Sequence, residues 1–271
     1  MVDDDREQHP GRPLAGRVAL VTGGTRGIGA AISRALAAQG ATVAAAYSGN
    51  TEAAEAFQRD FAEEQPDGTL SVHRGDVGVG EDCRRIVAEV IEQHGRLDIL
   101  VNNAGITNDR LLLKMTDEDW RSVMAVNLDG AFFMAQAALG HMLERGSGRV
   151  IFVGSIVGDI GNIGQSNYSA SKSALYGLTK SLARETAFLL ERAGKLDNPT
   201  GVTVNAVSPG VIGTEMVQAI PEKIQQGLIA EIPIRRFGGP QEVAHVVGFL
   251  ASDDASYVTG QIWRVNGGKA M

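Results

Sequence analysis

Apolar and polar positions fall in alternating blocks along the chain. Short runs rich in small and β-branched apolar residues stand at 17–22 (RVALVT), 42–47 (TVAAAY), 70–74, 97–101 (LDILV), 149–153 (RVIFV), 202–207 (VTVNAV) and 261–265. Runs of this length, bounded by turn residues, suit buried strands. Longer stretches between them carry apolar residues at helical spacing. Ile28, Ile32 and Leu36 recur over 28–39 and stop at Gly40. The same reading predicts helices over 51–64 and 82–94. Residues 117–143 read as one long helix or two abutting ones, with Thr116 as a cap ahead of Asp117 and Glu118. Further helices are predicted over 168–193, over 215–230 as part of a lid, and over 241–251.

Strands alternating with helices predict an α/β fold, a Rossmann-type doubly wound parallel sheet with helices on both faces. No linker interrupts the alternation. Residues 14–271 therefore read as one domain with a lid segment at 211–240. Residues 1–13, polar and rich in Asp, read as a disordered tail.

Composition narrows the function classes. Lys plus Arg number 25 against 32 Asp plus Glu, a net charge of −7. That balance argues against a nucleic-acid partner, which calls for a basic face. The N-terminal residues hold no apolar signal core, and no apolar run in the sequence approaches the ~20 residues of a membrane span. Cys83 is the one cysteine, which predicts a reduced, cytoplasmic setting. The five histidines lack ligand spacing, so no metal site is predicted. Glycine is the outlier, at 34 of 271 residues, where about 7% is usual.

Several of those glycines lie between the first strand and first helix, in Thr22-Gly23-Gly24-Thr25-Arg26-Gly27-Ile28-Gly29. Alone, such a loop is equally an ordinary tight turn. A strand before it and a helix after it favour a dinucleotide site, with the pyrophosphate on the helix N-terminus. Gly23, Thr25, Arg26, Gly27, Ile28 and Gly29 are the cradle residues. At the end of the second strand, Tyr47 and Ser48 stand where a carboxylate would select NAD. No carboxylate is there to repel a 2′-phosphate, and Arg26 is placed to pair with one, so NADPH is the predicted cofactor.

Tyr168 and Lys172 are four residues apart, which places them on one helix face. A nearby ammonium lowers a phenol's pKa and suits it to acid–base work. Ser155 follows the fifth strand, at the sheet edge where open α/β sheets bind ligands, and its hydroxyl is positioned to hold a carbonyl oxygen. Asn127 is a polar residue within an apolar helical stretch, suited to support a water or a helix bend. Each residue alone has a structural explanation; their order behind a dinucleotide loop points to catalysis.

With these motifs the chain resembles the short-chain dehydrogenase/reductase superfamily from about Leu14 to the C-terminus. Asp76-Val77, Asn102-Asn103-Ala104-Gly105 and Ser208-Pro209-Gly210 add to the likeness. The resemblance implies Tyr168 as proton donor, Lys172 on the nicotinamide ribose and tuning Tyr168, Ser155 orienting the carbonyl, and Asn127 holding a relay water. It also implies adenine contacts from Asp76 and Val77. Asn103, Ala104 and Gly105 would border the cofactor, and Pro209, Gly210, Ile212 and Thr214 its nicotinamide. Asn103-Ala104-Gly105-Ile106-Thr107, Gly164-Gln165-Ser166-Asn167-Tyr168 and Val265-Asn266-Gly267-Gly268 are similar to the 3-oxoacyl-(acyl-carrier-protein) reductases and acetoacetyl-CoA reductases.

That likeness implies NADPH-dependent reduction of a 3-oxoacyl thioester to the 3-hydroxyacyl thioester, in a homotetramer. Val157 and Gln165 join Ser155 and Tyr168 as expected substrate contacts. Two departures stand out. Residues 128–143 hold no Lys or Arg, with Phe133, Gln136 and Gly140 where a basic face for acyl-carrier protein is expected; this favours CoA thioesters. Lys180, Arg184 and Arg192 offer a substitute patch. Residues 188–201 form a longer link than usual, expected to extend the helix and add a polar loop. Met216, Ile220, Ile224 and Leu228 form a helical stripe that either lines an acyl channel or packs a core. The rival readings are a reductase of another ketone and a non-catalytic NADPH sensor.

Overall fold

The computed structural model describes residues 12–196, 201–214, 217 and 221–271. Seven strands form one sheet: β1 (Val18–Thr22), β2 (Thr42–Tyr47), β3 (Leu70–Arg74), β4 (Ile99–Asn102), β5 (Gly148–Val153), β6 (Val202–Pro209) and β7 (Ile262–Val265). Their order is β3-β2-β1-β4-β5-β6-β7, and every pairing is parallel. β1, β4, β5 and β6 are buried along their whole length, as expected of strands covered on both faces.

The alternation of side chains divides the core. Val18, Leu20, Leu100, Val150 and Phe152 face one layer, built by α3 (Gly80–His94), α5 (Gly130–Arg145) and α7 (Ser166–Arg192). Ala19, Val21, Val101, Ile151 and Val153 face the other, built by α1 (Gly27–Ala38), α2 (Thr51–Glu64) and α9 (Pro240–Ala251). Order reverses between β1 and β4. Their C-terminal ends therefore diverge and open the crevice in which such sheets bind ligands.

Residues 117–145 resolve the choice between one helix and two. α4 (Asp117–Met124) and α5 abut through a single π-helical turn, Ala125–Asp129. Thr116 caps α4 with a reciprocal pair of bonds: its hydroxyl accepts from the Asp119 amide (3.1 Å) and the Asp119 carboxylate from the Thr116 amide (3.0 Å). By length and composition this stretch is apolar enough to cross a membrane, more than the sequence reading allowed. Its apolarity is spent on the sheet, where Met134, Ala135, Ala138 and Met142 are buried.

α6 (Ile156–Ile160) and a 3₁₀ turn at Leu112–Lys114 were not expected. Each is about one turn long, too short to show a period. α7 runs to Arg192, and Lys195 beyond it donates to the Leu143 (3.2 Å) and Glu144 (2.5 Å) carbonyls at the end of α5. The expected polar loop lies partly at 197–200, outside the described residues, as does nearly all of the expected N-terminal tail. The lid segment contains α8 (Glu222–Ala230); Met216 and Ile220 lie outside the described residues.

Candidate active site

The glycine loop leaves β1 and enters α1. Gly23 has φ +62° and Gly27 φ +54°, where a side chain would be strained. A Cβ on Gly29 would lie 2.0 Å from the Gly23 carbonyl oxygen, so the loop can close this tightly only with glycine there. The Thr22 hydroxyl ties the loop to the far side of the crevice. It accepts from the Asn103 and Ala104 amides, both at 3.0 Å, while the Asn103 amide group donates back to the Thr22 (2.9 Å) and Gly23 (3.2 Å) carbonyls. Thr214 completes the enclosure, its methyl 3.8 Å from where a Gly27 Cβ would sit.

These residues fit an anionic dinucleotide. α1 begins with no side-chain cap and no acidic residue in its first turn, whereas α2, α3 and α4 all carry acids there. Its free N–H groups and partial positive charge are thus left for phosphate oxygens. Thr25 is half-buried in the loop, Ile28 half-buried in the first turn of α1, and Arg26 is exposed. Of the two expected adenine contacts, Val77 is buried and Asp76 exposed, its carboxylate accepting from the Gly78 amide at 2.9 Å.

The sequence reading missed Arg74. Register pairs Tyr47 with Arg74, and the Arg74 Nε donates to the Ser48 carbonyl at 3.4 Å. A second exposed cation therefore stands beside the end of β2. The signal was available: Arg74 ends the strand that pairs with Tyr47.

At the other end, Gly210 lies so close to Asn266 that a Cβ would meet its Cα at 2.7 Å. Pro209 is the last residue of β6, and Ile212 is buried and bridged to Gly238. Ile212, Ile232, Ile234 and Val265 line the depression beside them. None of the residues of α8 is buried, so Ile224 and Leu228 do not pack a core.

Ser155, Tyr168, Lys172 and Asn127 converge on the mouth of the crevice. Ser155 is the N-cap of α6, its hydroxyl accepting from the Val157 amide at 3.2 Å. Tyr168 and Lys172 lie one turn apart on α7, with the Lys172 Nζ 5.8 Å from the Tyr168 ring centre. That ammonium donates to the Val153 carbonyl at 2.8 Å. A Cβ on Gly105 would lie 3.2 Å from the Lys172 Nζ and 3.4 Å from the Asn127 Oδ1, so all three flank one point.

Asn127 sits in the π turn. Its Oδ1 accepts from the Ile106 amide (2.8 Å), and its Nδ2 donates to the Ile106 carbonyl (3.0 Å) and the Ser171 hydroxyl (3.1 Å). The sequence reading offered a water or a helix bend; what the helix shows at this residue is a turn of π geometry. Asn167, not singled out from sequence, is fully buried. It accepts from the Tyr168 amide (2.8 Å) and donates to the Asn108 and Asp119 carbonyls, both at 3.0 Å, which locks the approach to Tyr168. Gln165 is turned to the rim, donating to both Asp109 carboxylate oxygens at 3.0 Å.

The electrostatics differ from the sequence expectation. Burial pushes the Tyr168 phenol above its ordinary value, and the neighbouring Ser155 hydroxyl opposes this only in part. Lys172 is itself lowered by burial, to about 8. Tyr168 is therefore held protonated at neutral pH, ready to donate rather than to accept.

Residues 23–270 match the profile of the family described as enoyl-(acyl carrier protein) reductase. The chain is 49% identical to an acetoacetyl-CoA reductase of Rhizobium meliloti (strain 1021) over 254 residues, 93% of this chain and 98% of that protein. It is 46% identical to an acetoacetyl-CoA reductase of Shinella zoogloeoides, with the same coverage. To the 3-oxoacyl-[acyl-carrier-protein] reductase FabG of Escherichia coli (strain K12) it is 42% identical over 256 residues, 94% and 98% of the two chains.

Proposed function

The chain belongs to the short-chain dehydrogenase/reductase superfamily, and on that premise we propose that it reduces the 3-oxo group of an acyl thioester to a 3-hydroxy group with NADPH. The observation that carries this reading is the pairing of the Ser155 hydroxyl with a protonated Tyr168, with buried Lys172 one turn further along α7 beside Gly105, in a fold whose glycine loop opens an uncapped helix. The dinucleotide, when bound, supplies the hydride that C3 receives. Ser155 and Tyr168 hold the carbonyl oxygen, and Tyr168 gives it a proton as negative charge develops. The oxygen ends as a hydroxyl, and the thioester bond is untouched. Lys172 holds the ribose end of the dinucleotide and a positive charge near the phenol. Val157 and Gln165 contact the acyl chain at the rim, and α8 covers it.

NADPH is favoured over NADH because no carboxylate stands at 47–50, while Arg74 beside Ser48 and Arg26 in the glycine loop are both exposed. Asp76 and Val77 hold the adenine. CoA is favoured as carrier because Phe132, Gln136 and Gly140, the exposed positions of α5 ahead of its last two residues Glu144 and Arg145, bear no charge. Lys180, Arg184 and Arg192, all exposed on α7, are the alternative for an acidic carrier protein. The exposed Phe132 and Phe188 on α5 and α7 support assembly into a homotetramer through those helices. A reduced cytoplasmic setting fits a free, buried Cys83.

The test is nicotinamide absorbance with acetoacetyl-CoA, run with NADPH and NADH, beside a 3-oxoacyl carrier protein and an enoyl-CoA. Turnover of the 3-oxo thioester with NADPH supports the reading. Turnover of the enoyl thioester alone, or NADPH binding with no turnover of either, overturns it.

A further inference from the structure

Behind Ser155 runs a chain of polar side chains that the reaction does not touch. The Tyr176 phenol lies under the Ser155 peptide. It donates to the Ser155 carbonyl at 2.7 Å and receives the Ser155 amide at 3.3 Å, so one side chain grips both backbone polar groups of one residue. Its ring lies against Gly154 so closely that a Cβ there would meet it at 2.6 Å. The phenol oxygen is also 2.9 Å from the buried Ser208 hydroxyl, which donates to Asp159 Oδ2 at 2.7 Å. Asp159 Oδ1 in turn holds Arg264 at 2.8 Å. With the Ser208 proton committed to Asp159, the Tyr176 proton is shared between Ser208 and the Ser155 carbonyl.

Resting on the reductase reading above, we propose that Tyr176 is a positioning residue. It sets the place of the Ser155 hydroxyl through the Ser155 backbone, and Ser208, Asp159 and Arg264 set Tyr176. The physical need is plain. Ser155, only two residues beyond the end of β5, is the N-cap of a one-turn helix, and its hydroxyl must meet a developing oxyanion within a few tenths of an ångström. A five-residue helix is too short to fix its own N-cap; a phenol from α7, held through Ser208 of β6 and through Asp159 of α6 itself, which Arg264 of β7 pins, ties both ends of the helix to the neighbouring strands.

The test uses the full chain. Tyr176→Phe is expected to lower kcat about tenfold, with KM for the dinucleotide within about twofold, since the cofactor cradle is elsewhere. In a Ser155→Ala background the same change should cost less than about twofold, because the group it positions is gone. Asp159→Asn, milder and better tolerated, should cost about threefold alone and nothing further beside Tyr176→Phe. Amide hydrogen exchange over residues 153–160, which needs no substrate, should speed at least about fivefold in Tyr176→Phe. If Tyr176→Phe costs the Ser155→Ala enzyme as much as the parent, or leaves that exchange unchanged, the proposal fails. If the parent reduces no 3-oxoacyl thioester, the functional reading fails, and the exchange comparison still decides whether Tyr176 holds Ser155.

Discussion

Lys172 shows at the scale of one residue how the site is built against stability. Burial lowers its ammonium from the ordinary 10.5 to about 8. Between those values the unfolded chain binds a proton that the folded chain does not. Stability from this group is therefore full above 10.5, falls as pH drops through the window, and stays at its lowest below about 8. The gap amounts to about 3 kcal/mol, at about 1.4 kcal/mol for each tenfold step in proton affinity. Lys172→Met removes that cost but leaves the Val153 carbonyl without its partner, which costs about 1–3 kcal/mol. The variant should be at least as stable as the parent at pH 7 by denaturant midpoint, and should lose ground to it as pH approaches 10. A large loss at pH 7 contradicts this. The same values set the rate. Tyr168 stays protonated through neutral pH, while Lys172 loses its proton near 8. Reduction should run level below pH 7 and decline above about 8 in a kcat/KM profile.

Among the elements, the two lips of the crevice are joined by Thr22, whose hydroxyl accepts two amides from across the sheet reversal. Valine has the same shape and no acceptor. Thr22→Val should orphan the Asn103 and Ala104 amides, cost about 2–4 kcal/mol, and weaken NADPH binding as measured by titration of cofactor fluorescence. That clamp was not legible in the sequence, because it depends on which strands become neighbours. Strands and helices with a long period were legible: β2, α2 and β3 match their predicted spans. So were Tyr168 and Lys172, whose four-residue spacing on a helix is local information. Asn167 and Tyr176 were not, since each acts across elements far apart in sequence. The π turn at Asn127 was half-visible: a polar residue in an apolar stretch marks an exception, but not its form.

Across the whole molecule, chemistry and anchorage occupy opposite edges of the sheet. The C-terminal strand ends carry the glycine loop, Ser155 and Asn103. At the N-terminal ends, Arg149 is fully buried at the start of β5 and bound to Asp253 (2.9 Å) and to the Ser252, Gly148 and Gly201 carbonyls. Arg17, ahead of β1, closes on the same Asp253 at 2.6 Å. One carboxylate thus bridges two guanidiniums and ties β1, β5 and the turn after α9. Burial and the facing Arg17 lower even the Arg149 guanidinium to about 10. Removing the carboxylate leaves two close cations, one of them cut off from water. Breaking a buried pair in this way typically costs about 3–5 kcal/mol, more than the pair itself contributes. Asp253→Ala should therefore lower the unfolding free energy by about that amount, read from the shift of the denaturant midpoint. Because the sheet lies between this edge and Tyr168, kcat per folded molecule should stay within about twofold of the parent, as a far, unconnected site predicts. A matching fall in kcat at temperatures where the variant is fully folded would mean that the anchor reaches the site through β5, whose other end delivers Ser155.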